Sequence, residues 1–113
     1  MNSYVPYEEH ARKARLLFDE LVSALGSNLS ENERHGLNAL IGCGELDDAI
    51  ESILDLSGAS HLFVIPSSFA PEIEDWLNDF GTPGPDDDDY VWYAAKRAME
   101  YSREQESAAL APV

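Results

Sequence analysis

Carboxylates are the side chains repeated often enough in this sequence to do chemistry together. Asp47, Glu51 and Asp55 recur at i, i+4 and i+8, with Asp48 alongside, so on a helix they form an acidic stripe. Glu72, Asp75 and Asp79 repeat the pattern at spacings of three and four, and Asp86, Asp87, Asp88 and Asp89 stand in an unbroken run. Like charges four apart repel by about 0.2–0.5 kcal/mol per pair, so nothing about helix formation asks for the first stripe, and a surface role is expected. Such carboxylates can hold a metal, exchange protons or bind a cationic partner. The first two are not expected here. His10, His35, His61 and Cys43 fall outside metal-ligand spacings, and four adjacent aspartates lack the alternating ligands and glycine of a calcium loop. No Gly-rich phosphate loop follows a strand, and no Ser-His-Asp order stands out. Carboxylates are so abundant that no pair is singled out for acid–base work. No enzyme activity, cofactor or metal is therefore expected. Binding remains.

The charge balance says what kind of binding. Seven Lys+Arg against 22 Asp+Glu leave a formal net charge of −15, and no Lys or Arg occurs between Arg34 and Lys96. A one-sign field of this kind repels nucleic acid and anionic membrane and draws in basic protein surfaces. Acidity also keeps a cytosolic protein soluble, but the loss of every such cation over half the chain favours a basic partner. At 113 residues and 44% hydrophobic, the chain fits one globular domain, 1–113, that needs no disulfide. Cys43 is its only cysteine. The amino terminus lacks a signal-peptide apolar run, and the longest such run, Leu62 to Pro66, cannot cross a bilayer. A soluble cytoplasmic protein is expected.

The elements that position the acids follow from periodicity. Ala11, Ala14, Leu17, Phe18, Leu21, Val22 and Leu25 predict a helix from Tyr7 to Leu25, closed by a left-handed Gly26. Its Arg12, Lys13 and Arg15 form a solvated face or pair internally with acidic neighbours. Ser30 and Glu33 form a capping box for a helix that buries Leu37, Leu40 and Ile41 and stops at Gly42. After the Gly42-Cys43-Gly44 hinge, with Glu45 in the first turn, a second helix buries Leu46, Ala49, Ile50, Ile53 and Leu54 and ends at Leu56-Ser57-Gly58. The two make an αα-hairpin over residues 30–56. Cys43 is expected to pack, since no cation adjoins it to favour a nucleophile.

His61 to Ile65 favours β structure but has no partner strand, so it is read as a buried extended connector or a short helix. A helix from Ala70, with Pro71 at N1, is expected to bury Ile73, Trp76, Leu77 and Phe80. A Pro/Gly/Asp loop at 82–89 precedes a last helix from about Asp87 to Gln105, with Val91, Ala94, Ala95, Ala98 and Met99 inward and 107–113 frayed. Tyr90, Trp92, Tyr93 and Tyr101 are too many for one seam, so one or two are expected outside. The Asp86–Asp89 run is read either as a cap for that helix or as part of the binding surface. The fold class is all-α, about five helices in a compact bundle. Packed side by side, the helices over 45–56 and 70–80 would merge their stripes into one anionic face.

The Ser-capped helix, the Gly44-Glu45 turn, Ala49-Ile50 and the closing Leu54-Asp55 resemble small helical immunity proteins of bacterial contact-dependent and polymorphic toxin systems, the Maf type among them. The likeness covers residues 7 to 80. It implies an all-α protein that binds and blocks a cognate toxin made by the same cell. With the charge, this points to a basic, nuclease-type toxin domain. The partner-binding candidates are the acids Asp47, Asp48, Glu51, Asp55, Glu72, Asp75, Asp79 and Asp86 to Asp89, with Tyr90 and Trp92 as apolar anchors. The alternative is a nucleic-acid-mimicking regulator or adaptor for a basic DNA-binding protein. Neither reading has the chain binding nucleic acid or membrane itself.

Overall fold

The computed structural model describes residues 7–80 and 90–110. Among them the protein is all-α, with five helices and no strands. α1 spans Tyr7–Leu25, α2 Glu31–Gly42, α3 Leu46–Gly58, α4 Ala70–Asn78 and α5 Tyr90–Leu110, with 3₁₀ turns at Gly26–Asn28 and Ser67–Phe69. No described helix is long and apolar enough to cross a membrane.

Local chemistry sets the hairpin. The Ser30 hydroxyl accepts the Glu33 N–H at 3.1 Å while the Glu33 carboxylate accepts the Ser30 N–H at 2.7 Å, so the capping box closes in both directions. At the other end of α2, Glu45 N–H reaches the Leu40 carbonyl at 2.8 Å and Gly44 N–H the Ile41 carbonyl at 3.0 Å. That is a Schellman closure, and it turns on Gly44 at φ 78°, a left-handed conformation a side chain would strain. Glu45 is the N-cap of α3 rather than a first-turn residue. Gly26, expected in the same left-handed role, instead opens a 3₁₀ turn, and the Arg34 guanidinium donates to its carbonyl. Cys43 is exposed at the C-cap of α2, not packed.

One core joins all five helices. Leu21, Ile50, Ile53, Leu54, Ile73 and Trp76 are at or near complete burial, and α3 lies along α5. That contact is made close by small residues: Ala98 of α5 lies against Gly58 at the end of α3, and a Cβ on Gly58 would stand 2.6 Å from the Ala98 nitrogen. Phe80, predicted inside, is 40% exposed.

The connector between α3 and α4 is not helical over 61–66, but neither is it the uniformly extended, buried segment expected, since it bends at Leu62 and Phe63 and leaves Leu62 exposed. Phe63 and Ile65 are buried. Their carbonyls accept hydrogen bonds from two fully buried hydroxyls, Ser57 of α3 at 2.8 Å and Ser102 of α5 at 2.5 Å. Side-chain hydroxyls thus satisfy the backbone that a partner strand would otherwise have satisfied. α5 runs helical to Leu110, beyond the expected end at Gln105.

Candidate functional site

His10 sits on the row of α1 that continues inward as Ala14, Leu17 and Leu21, and the row brings its ring between two carboxylates. Its Nδ1 lies 2.8 Å from Asp79 Oδ2 at the end of α4, and its Nε2 lies 2.9 Å from Asp47 Oδ1 in the first turn of α3. Only the imidazolium can donate from both nitrogens at once. One turn along α1, Lys13 Nζ pairs with Asp79 at 3.0 Å and Asp75 at 3.2 Å. The Trp76 indole N–H donates to the same Asp47 oxygen at 2.8 Å, and the Phe80 ring meets His10 and Trp76 edge-on.

The electrostatics follow the geometry. Burial pulls the His10 pKa down, but the hydrogen bonds and negative charge of Asp79 and Asp47 outweigh it and leave the imidazole above its ordinary 6.5. Burial pushes Asp79 up, but His10 and Lys13 hold it below the usual carboxylate value. Asp79, its side chain 5% exposed, caps the carbonyl end of α4, where the helix dipole opposes a carboxylate and the two cations beside it offset that.

The predicted merged anionic face is therefore corrected. α3 and α4 do not pack side by side. α1 stands between their acids, and Asp47, Asp75 and Asp79 are tied to its His10 and Lys13. Asp47 belongs to the fold, so the first stripe is not purely a surface feature. Asp48 lies beside Glu45, whose pKa is raised chiefly by the hydrogen bond the two carboxyls share. Glu72 is exposed beside Glu20 of α1, whose carboxyl raises it in the same way. Glu51 is half-buried. Tyr90 and Tyr93 are exposed, whereas Trp92 and Tyr101 are half-buried. Asp86, Asp87, Asp88 and Asp89 lie outside the described residues, and so does the cap reading placed on them.

A second arrangement lies across the molecule. α2 and α3 splay to leave a groove of about 450 Å³ whose apolar lining includes Leu37, Leu40 and Leu56. Asp55 and Glu33 bring carboxylates to it, and Tyr90 reaches in from α5. Burial raises the Asp55 pKa, and the charge of Arg97 only partly offsets that. Among the described residues no Lys or Arg lines this groove.

No family model, curated protein or solved structure matches this chain. The chemistry has to be read from the site itself. Among the described residues no three His, Cys, Asp or Glu side chains form a metal-binding group. Asp47 and Asp79 meet opposite edges of the His10 ring, so they do not converge on one point. Of the predicted site residues, the structure brings Asp47, Asp75 and Asp79 together in one cluster and Asp55 and Tyr90 together in the groove. It places Asp48, Glu51, Glu72 and Trp92 in neither. Sequence reasoning missed His10 and Trp76 as partners of the acids, and Glu33 as part of the groove, whereas Lys13 follows the internal-pairing alternative expected for the cations of α1. A signal for the first existed: His10, Ala14, Leu17 and Leu21 follow one another at four, three and four.

Proposed function

We propose that this protein binds and neutralises a basic protein partner, as an immunity protein does a nuclease-type toxin domain whose phosphate-binding cleft it covers. It acts by occupancy rather than turnover. The observation that supports this reading is the way positive charge is distributed. Lys13 is held by Asp75 and Asp79, Arg15 by Asp19, and Arg34 folds back on the Gly26 carbonyl. Beyond Arg34, α2 and α3 carry no Lys or Arg to balance Glu45 and Asp48, and Asp55 meets only the longer-range charge of Arg97 on α5. Two carboxyl pairs, Glu45 with Asp48 and Glu72 with Glu20, crowd like charge together, and an incoming Lys or Arg relieves that crowding.

The mechanism is complementarity. Carboxylates take the places that phosphates occupy in a basic cleft, while an exposed ring such as Tyr90 supplies the apolar anchor. The test is inhibition. A basic nuclease domain encoded beside this protein should lose its hydrolysis of nucleic acid when mixed with one equivalent of it, and cells expressing both should grow. Undiminished hydrolysis at a large excess of the protein overturns the reading.

A further inference from the structure

We infer that the groove between α2 and α3 is the seat of one arginine side chain presented by the partner. This rests on the reading of a basic protein partner and names where on the molecule its anchoring residue goes. The groove, about 450 Å³, lies within the range of pockets that hold small ligands, roughly 300–1,000 Å³. The half-buried Leu40 and Leu56 offer apolar surface to the methylene stem of a long basic side chain, which buries its stem and keeps its head polar. Two groups then fit the head. Asp55 is a half-buried carboxylate with no hydrogen bond or ion pair to its side chain among the described residues. The charge of Arg97 reaches it only at longer range, and that guanidinium lies 5.4 Å over the Tyr93 ring. Tyr90, 61% exposed, offers an aromatic face on which a planar guanidinium stacks.

Arginine matches this combination better than lysine does. Its planar fork meets a carboxylate through two parallel N–H donors and stacks on a ring at the same time, whereas an ammonium presents only a point charge. Glu33 adds negative charge at the groove while one of its oxygens caps α2. Other occupants fit less well. Nucleic acid is repelled, a second copy brings another net charge of −15, and a metal ion has no use for the apolar lining.

The experiment titrates ¹⁵N-labelled protein with N-acetyl-arginine methylamide and, separately, with nona-arginine. The blocked arginine should give saturable shifts confined to amides of residues 36–40, 52–60 and 90. Asp55→Asn, which removes the charge but keeps the shape, should weaken that binding at least fivefold without moving the melting temperature. Tyr90→Ala should weaken it and Tyr90→Phe should restore it, because the ring face and not the hydroxyl does the work. Glu9→Gln, at an exposed acid of α1 outside the groove, should change it less than twofold. Shifts that never saturate and spread over the acidic surface, or an Asp55→Asn variant that binds as wild type, overturn the groove assignment. If nona-arginine still binds in those circumstances, the basic-partner reading stands without the groove. If nona-arginine does not bind at all, that broader reading falls as well.

Discussion

His10 turns a pair of acids into a fastening, and its protonation state decides how firm the fastening is. In the imidazolium both ring nitrogens donate, one to Asp79 and one to Asp47, and α1, α3 and α4 are held at one point. In the neutral ring one nitrogen presents a lone pair to a carboxylate. The folded pKa is raised above 6.5, so this stabilisation is complete below pH 6.5 and is lost as pH rises through the higher folded value. Asp79 acts on the other side: its folded pKa lies below 3.8, so its contribution is complete above that value and is lost as pH falls through the depressed one. Stability against urea should therefore be greatest between about pH 4 and 6.5, with a decline at higher pH, as His10 loses its proton, that His10→Gln removes. At about pH 5.5 the same substitution should cost about 1.5–3 kcal/mol, the worth of hydrogen bonds to charged groups. An unchanged alkaline limb in His10→Gln would refute this role. The spacing of the acids was legible in the sequence, and so was the inward row of α1. That His10 and Asp47, 37 residues apart, occupy one point was not, because it depends on how three helices cross. Reversing Asp47 or Asp75 to Lys would not relieve repulsion, for the same reason: both are paired with α1, and reversal sets cation against cation.

Helix boundaries were largely readable because caps and periodicity are local. The Ser30–Glu33 box and the stop at Gly42 need no tertiary information. What Gly58 does was not readable. In sequence it is a helix-ending glycine, but its role is to let α3 touch the backbone of α5. A Cβ there would stand 2.6 Å from the Ala98 nitrogen and 2.8 Å from the Arg97 carbonyl carbon, and helix backbone cannot rotate aside as a side chain can. Gly58→Ala should therefore destabilise by about 1–3 kcal/mol, in the range of overpacked cores, despite the better helix propensity of alanine. Gly36 is the internal control. It lies inside α2, and a Cβ added to it would meet nothing within 4 Å, so Gly36→Ala should stabilise by about 0.5–1 kcal/mol. Urea midpoints that shift the same way in both variants would mean that the α3–α5 approach is looser than 2.6 Å implies. The exposed aromatics show a similar divide: counting four rings on one helix predicts that some lie outside, but only the packing of α5 on α3 and α4 selects Tyr90 and Tyr93.

At the scale of the whole molecule, a net charge of −15 acts on the fold and on a partner with opposite signs. Within the chain, neighbouring carboxylates such as Glu45 with Asp48 and Glu72 with Glu20 repel one another, and the compact state concentrates that repulsion. Between chains, the same field accelerates the approach of a basic surface. Salt shortens the reach of both: the Debye length falls from about 30 Å at 0.01 M to about 8 Å at 0.15 M. The cluster of His10, Lys13 and Asp79 is sheltered, with the Asp79 side chain only 5% exposed, so its short contacts are screened far less than the surface repulsions. Raising sodium chloride over that interval should therefore raise the melting temperature at about pH 6 while lowering the association rate with nona-arginine. Glu20→Lys should mimic the salt, giving a more stable protein that associates more slowly, because it turns the crowded Glu20 and Glu72 pair into an attraction near the carbonyl end of α1, where the dipole favours a cation. Calorimetry and stopped-flow measurements on the same samples separate the two effects. A melting temperature that falls with salt would mean that internal ion pairs outweigh surface repulsion, and the outward acids would then lose their standing as an unbalanced field waiting for a partner.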